Sequence, residues 1–89
     1  MKDDEKKYYI VAARLWDGKV YVHVLTRMEE ARVTCMHMLN SENYVWNSTQ
    51  PLELTSNKSE NEIEAIVEDY LTKNKDSVIF DKELKELIN

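Results

Sequence analysis

Residues 8–25, "YYIVAARLWDGKVYVHVL", hold two runs in which apolar side chains recur at every second position, separated by Asp17-Gly18. A period of two is the signature of a strand with two different faces, and an Asp-Gly between two such runs predicts an antiparallel hairpin. A two-residue loop of this kind favours a type I′ turn, because Asp and Gly both tolerate positive φ. That loop sets Trp16 opposite Lys19, Leu15 opposite Val20, Arg14 opposite Tyr21, Ala13 opposite Val22, Ala12 opposite His23 and Val11 opposite Val24. One face then reads Val11, Ala13, Leu15, Val20, Val22 and Val24, uniformly apolar and expected in the core. The other gathers Tyr8, Trp16, Tyr21 and His23 with Arg14 and Lys19.

The period then changes to that of a helix. Thr26 and Glu29 have the spacing of a capping box, which predicts a helix from Arg27. Met28, Ala31, Cys35, Met38 and Leu39 fall on its apolar stripe, and Asn40-Ser41 ends it. "YVWNSTQPLEL" reads as extended chain, an interrupted edge strand that Pro51 keeps out of the sheet centre. Ser59 and Glu62 form a second capping box, ahead of a stripe of Ile63, Ile66, Val67, Tyr70 and Leu71. "VIF" at 78–80 reads as a short strand or turn, followed by a last helix with Asp81 as its cap. The order β-β-α-β-α-α predicts an α+β fold: an N-terminal antiparallel hairpin and a third short strand packed by two to three helices. No repeat or linker divides the chain, so residues 1–89 form a single domain, with 1–6 as a disordered tail.

Composition narrows the setting. At 89 residues and 43% hydrophobic, the chain holds enough apolar surface for one core without staples. One cysteine excludes an internal disulfide framework and fits a reducing compartment. "MKDDEKK" lacks the apolar stretch of a signal peptide, and no run of 18 apolar residues exists, so a cytoplasmic protein without a membrane span is expected.

Charge singles out one region. The formal net charge is −5, and residues 1–45 hold seven acids and seven bases, whereas residues 46–89 hold ten acids and five bases. Glu60, Glu64 and Glu68 are four residues apart, which lines them up at ~6 Å intervals along a helix. Glu53, Glu62 and Asp69 widen the same field. Like charges at this spacing cost a helix roughly 0.2–0.5 kcal/mol per pair, and no Lys or Arg lies between Glu60 and Leu71 to relieve them. The plain reading is a solvated face with acids favouring the helix dipole. The functional reading is a row of carboxylates standing in for phosphates, which would bind a basic protein and repel nucleic acid.

Other constellations are weaker. Arg14, Trp16, Lys19 and Tyr21 on an open sheet face make an alternative, stacking platform for a nucleic acid strand; the same residues serve equally as core and cation–π packing. His23 reads as a partly buried strand histidine. Cys35 and His37 diverge on a helix, and no four ligands converge, so neither metal nor cofactor is expected. Cys35 sits on the core stripe, where a thiol is inert, and Met28, Met36 and Met38 read as core filler. An open strand edge also permits a homodimer.

Two resemblances bear on activity. "YYI…DGKVYVH…R" resembles the opening of GIY-YIG nucleases, with Tyr8 or Tyr9, Tyr21 and Arg32 at the matching positions over about a third of the chain. The first motif lacks its glycine and His23 stands where the second has one, so the resemblance implies a degenerate nuclease scaffold. In size, acidity and lack of catalytic motifs the chain resembles the small acidic proteins with which bacteriophages disable host machinery. That class resemblance implies a non-enzymatic DNA-mimic inhibitor in the host cytoplasm. Its partner would be a nucleoid protein or transcription component, held by Glu53, Glu60, Glu62, Glu64, Glu68 and Asp69.

Overall fold

The computed structural model describes residues 5–74 and 81–88, which form an α+β fold. Its elements are β1 (Lys6–Leu15), β2 (Val20–Leu25), α1 (Met28–Leu39), β3 (Tyr44–Asn47), β4 (Leu52–Ser56), α2 (Glu60–Lys73) and α3 (Asp81–Ile88). The "VIF" segment lies outside the described residues, and β1 already begins at Lys6, inside the segment expected to be a tail.

The sheet is antiparallel, with β1 at its centre and β2 on one side. β3 and β4 share the other side: β3 pairs with the Ala13–Leu15 end of β1 and β4 with its Lys6–Ile10 end. Together they are one interrupted edge, which gives the order β-β-α-β-α-α. Ser48 bridges the interruption. Its amide donates to the Ala12 carbonyl at 2.8 Å and its Oγ accepts from the Ala12 amide at 3.0 Å, so the centre of β1 loses no hydrogen bond where its neighbour breaks.

The hairpin register differs by one residue from that of a two-residue loop. Ala13 lies opposite Tyr21, Ala12 opposite Val22, Val11 opposite His23 and Ile10 opposite Val24. The Leu15 amide donates to the Lys19 carbonyl at 2.8 Å and the Gly18 amide to the Leu15 carbonyl at 3.0 Å, enclosing the three residues Trp16, Asp17 and Gly18. Only Gly18 takes positive φ, at 93°, whereas a type I′ turn needs two such residues. Asp17 instead accepts the Lys19 amide on Oδ1 at 3.0 Å. A slip of one residue moves every β2 side chain to the opposite face relative to β1.

The expected single apolar face is therefore split. Val20, Val22 and Val24 join Tyr8, Ile10, Ala12, Leu52 and Leu54 beneath α2 and α3, packed against Ile63, Val67, Leu71, Leu84 and Ile88. Val11 and Ala13 face the opposite way, under Ala31, Cys35 and Met38 of α1, with Tyr9, Leu25 and Tyr44 at the margin. β1 is buried on both sides, so its own apolar pattern does not choose a face; the pattern of β2 does.

The helices divide similarly. α1 starts at Met28 with extended Arg27 as its N-cap and no side-chain cap, which corrects the Thr26–Glu29 box. Arg27 O accepts the first intrahelical bond from Ala31, so Thr26 lies one residue too early for Glu29 to be its partner. Leu39 and Met36 are exposed rather than in the core. The second box forms as expected: Glu62 N donates to Ser59 Oγ at 3.2 Å and Ser59 N to Glu62 Oε1 at 3.3 Å. At the other end of α2 the Arg14 guanidinium donates to the carbonyls of Leu71 at 2.6 Å and Asn74 at 3.2 Å, a cation satisfying orphan acceptors at the negative pole of the helix.

Ser48→Ala leaves the buried Ala12 amide without its acceptor and is expected to cost about 1–3 kcal/mol. A denaturant midpoint equal to the wild type would contradict the bridge.

Candidate functional site

α2 positions the acidic row. Ile63, Val67 and Leu71 are buried, which fixes its rotation, and the half-buried Ile66 and Tyr70 turn toward α3. Tyr70 donates to Glu83 there, and a hollow of about 390 Å³ bounded by Ile66, Asp69, Tyr70 and Leu87 lies along this seam. Glu60, Glu64 and Glu68 fall on the flank turned away from α3, and all three are exposed.

The six acids have different surroundings. Glu53 pairs with Lys7 at 3.5 Å across the β4–β1 ladder, Asp69 with Lys73 at 3.2 Å one turn on, and Glu62 serves the N-cap. Among the described residues, Glu60, Glu64 and Glu68 have no cation within ion-pair distance. The structure thus separates a row of three uncompensated carboxylates from three acids that are already engaged. The Asp69–Lys73 pair was legible as i,i+4 spacing once the helix was extended two residues past Leu71.

The alternative platform does not come together on one face. Arg14 points to the α2 side and is held at the end of that helix, while Tyr21 stands on the α1 side, opposite Ala13. Trp16, 72% exposed, sits at the hairpin tip with Nε1 donating to the Glu42 carbonyl at 3.1 Å. Tyr21 packs edge-on against Tyr44 with centroids 6.4 Å apart. Around them lies an open hollow of about 330 Å³ lined by Leu15, Trp16, Asp17, Tyr21, Asn43 and Tyr44. Lys19 is exposed beside it, and His23 is exposed rather than half-buried.

The residues matching the nuclease pattern are also divided. Tyr8 is buried under α2 and α3 with its hydroxyl donating to the Lys58 carbonyl at 2.9 Å, whereas Tyr9 and Tyr21 belong to the α1 side. Arg32 lies on α1 beside a groove of about 350 Å³ between that helix and the β3–β4 connection, where Met28, Met36, Leu39 and Pro51 also line the wall. Among the described residues no three His, Cys, Asp or Glu side chains are grouped to hold a metal, and no helix is long and apolar enough to cross a membrane.

Cys35 forms the floor of that groove. Burial pushes its thiol up from an ordinary value of 9.0. The neutral form is thus favoured in the folded chain, so the unfolded chain loses its proton first as pH rises. Stability is expected to fall as pH climbs through 9, and Cys35→Ala should remove that part of the alkaline slope. An unchanged slope in a pH series of denaturant midpoints would contradict this.

No protein-family model, curated protein or solved structure matches this chain.

Proposed function

We propose that this protein is a non-enzymatic interaction module whose acidic α2 flank binds a basic, DNA-binding protein in the place a nucleic acid strand would take. The observation that supports this reading is the contrast along one helix: Glu60, Glu64 and Glu68 are exposed and unpaired among the described residues, whereas Glu62 and Asp69 beside them have partners. Carboxylates ~6 Å apart on a rigid rod repeat one sign at nearly the interval of phosphates along a strand. With a net charge of −5 the footprint is short, a few phosphates rather than a long duplex. Exposed charges of this kind act mainly on association rate, so binding is salt-sensitive. The biological effect that follows is inhibition, since a partner occupied by this face cannot hold DNA.

The test is capture from nuclease-treated bacterial lysate by the wild type and by a variant carrying Glu60→Lys, Glu64→Lys and Glu68→Lys. A basic protein held only by the wild type, released by moderate salt and displaced by duplex DNA, is the expected result. Equal capture by the folded variant would remove the proposal.

A further inference from the structure

The two edges of the sheet are built differently. The β3–β4 edge is broken at Ser48–Pro51 and carries a register shift at Arg14/Leu15, features that discourage another strand from pairing there. The β2 edge, "VYVHVL", has an unbroken register against β1 and contains no proline, glycine, Lys, Arg, Asp or Glu. Its pairing also fixes where its backbone points. Ala12 spends its amide and carbonyl on Ser48, away from β2, so Val22 opposite it turns its own amide and carbonyl outward. By the same alternation Val20 and Val24 do likewise, and among the described residues nothing pairs with this edge.

The acidic row lies alongside that edge. α2 packs over β2, while α3 packs over β4 at the far side of the sheet. The flank of α2 turned away from α3 is thus the flank toward the open edge, and it carries Glu60, Glu64 and Glu68. The spacings match as well. Carboxylates recur every ~6 Å along the helix, and same-face side chains of a strand recur about every 6.7 Å. The row spans ~12 Å beside a six-residue strand of about 17 Å.

We infer that β2 is a docking edge for an extended segment of a partner protein, added as a fifth strand, with Lys or Arg at alternate positions facing Glu60, Glu64 and Glu68. The residues between them would be apolar or aromatic and lie on the side of Tyr21 and His23, both exposed. Backbone bonds to Val20, Val22 and Val24 hold the segment, and the carboxylates select its charge pattern. A second copy of this chain is the wrong occupant. Pairing β2 with β2 would press two α2 helices together along their acidic flanks and bury six carboxylates without cations. The inference rests on the proposed acidic-face reading and names how that face engages its partner.

The probe is a nine-residue peptide with Lys at every second position and Val or Thr between, titrated against the whole protein by calorimetry. Three comparisons decide. The same residues with the lysines clustered should bind at least tenfold more weakly. Peptides N-methylated at alternate residues, made in both phases, should lose at least tenfold in one phase, because only one set of amides faces β2. The variant Glu60→Gln, Glu64→Gln and Glu68→Gln should lose a similar factor. Val22→Pro should also abolish binding, since position 22 offers its N–H to the edge rather than to β1; if that variant does not fold, the N-methylated peptides decide alone. Indifference to N-methylation with loss in the Gln variant would overturn edge docking and leave the acidic-face reading standing. Loss on N-methylation with no effect of the Gln variant would overturn the charge selection and that reading with it. No binding of the alternating peptide, or a wild-type dimer that Val22→Pro dissociates, would overturn the inference.

Discussion

The placement of β2 against β1 is the constraint on which the other features rest, and it is held by a few groups at the hairpin tip. Leu15 and Lys19 close a three-residue loop in which Gly18 supplies the one left-handed residue and Asp17 receives the Lys19 amide. Because strand side chains alternate, this choice sends the three valines of β2 toward α2 and α3 and leaves Tyr21 and His23 on the α1 side. The opposite choice would turn the valines away from the larger core and place Tyr21 and His23 under α2. Full burial of an aliphatic side chain contributes roughly 1.5–3 kcal/mol; Val24 is buried and Val20 and Val22 are half-buried, so β2 favours this register even though β1 is apolar on both faces.

From that register follows an asymmetric molecule. One edge of the sheet is interrupted and bridged by Ser48; the other is continuous, with its valine backbone groups directed outward. One face carries α1 over a small core, and the other carries α2 and α3 over the main one. Arg14 locks the main face, tying the hairpin to the carboxyl end of α2 and thereby setting where that helix lies over β2. The acidic row and the open edge come to share one side of the protein through these contacts. The proposed docking of an extended basic segment rests on this combination of an open backbone edge and a charge row of similar pitch.

Much of this architecture was legible in the residues themselves. The capping box at Ser59 and Glu62 marked α2, and its 3.6-residue stripe named every residue it buries. Pro51 marked the broken edge, and Asn40 the end of α1. What the sequence concealed had physical causes. Asp17-Gly18 suits both a two-residue and a three-residue loop, and the difference lies in the Asp17 side chain, which local pattern does not register. Thr26 and Glu29 had the spacing of a cap, yet the chain leaving β2 stays extended through Arg27 and the box falls one residue short. The assignment of Arg14 to an aromatic platform failed with the register, because its real partners are 57 and 60 residues away in the chain. The row of Glu60, Glu64 and Glu68 was readable as a line with no Lys or Arg inside the helix; its lack of an ion-pair partner among the described residues, and its position beside β2, needed the packing of α2.

Cross-strand Hα–Hα contacts between β1 and β2, read by NMR, test the central claim most directly. The three-residue loop predicts them between Arg14 and Val20, Ala12 and Val22, and Ile10 and Val24, the facing pairs that exchange no backbone hydrogen bonds with each other. Contacts between Leu15 and Val20, Ala13 and Val22, and Val11 and Val24 instead are those of a two-residue loop and would contradict the register, and with it the division of the two sheet faces.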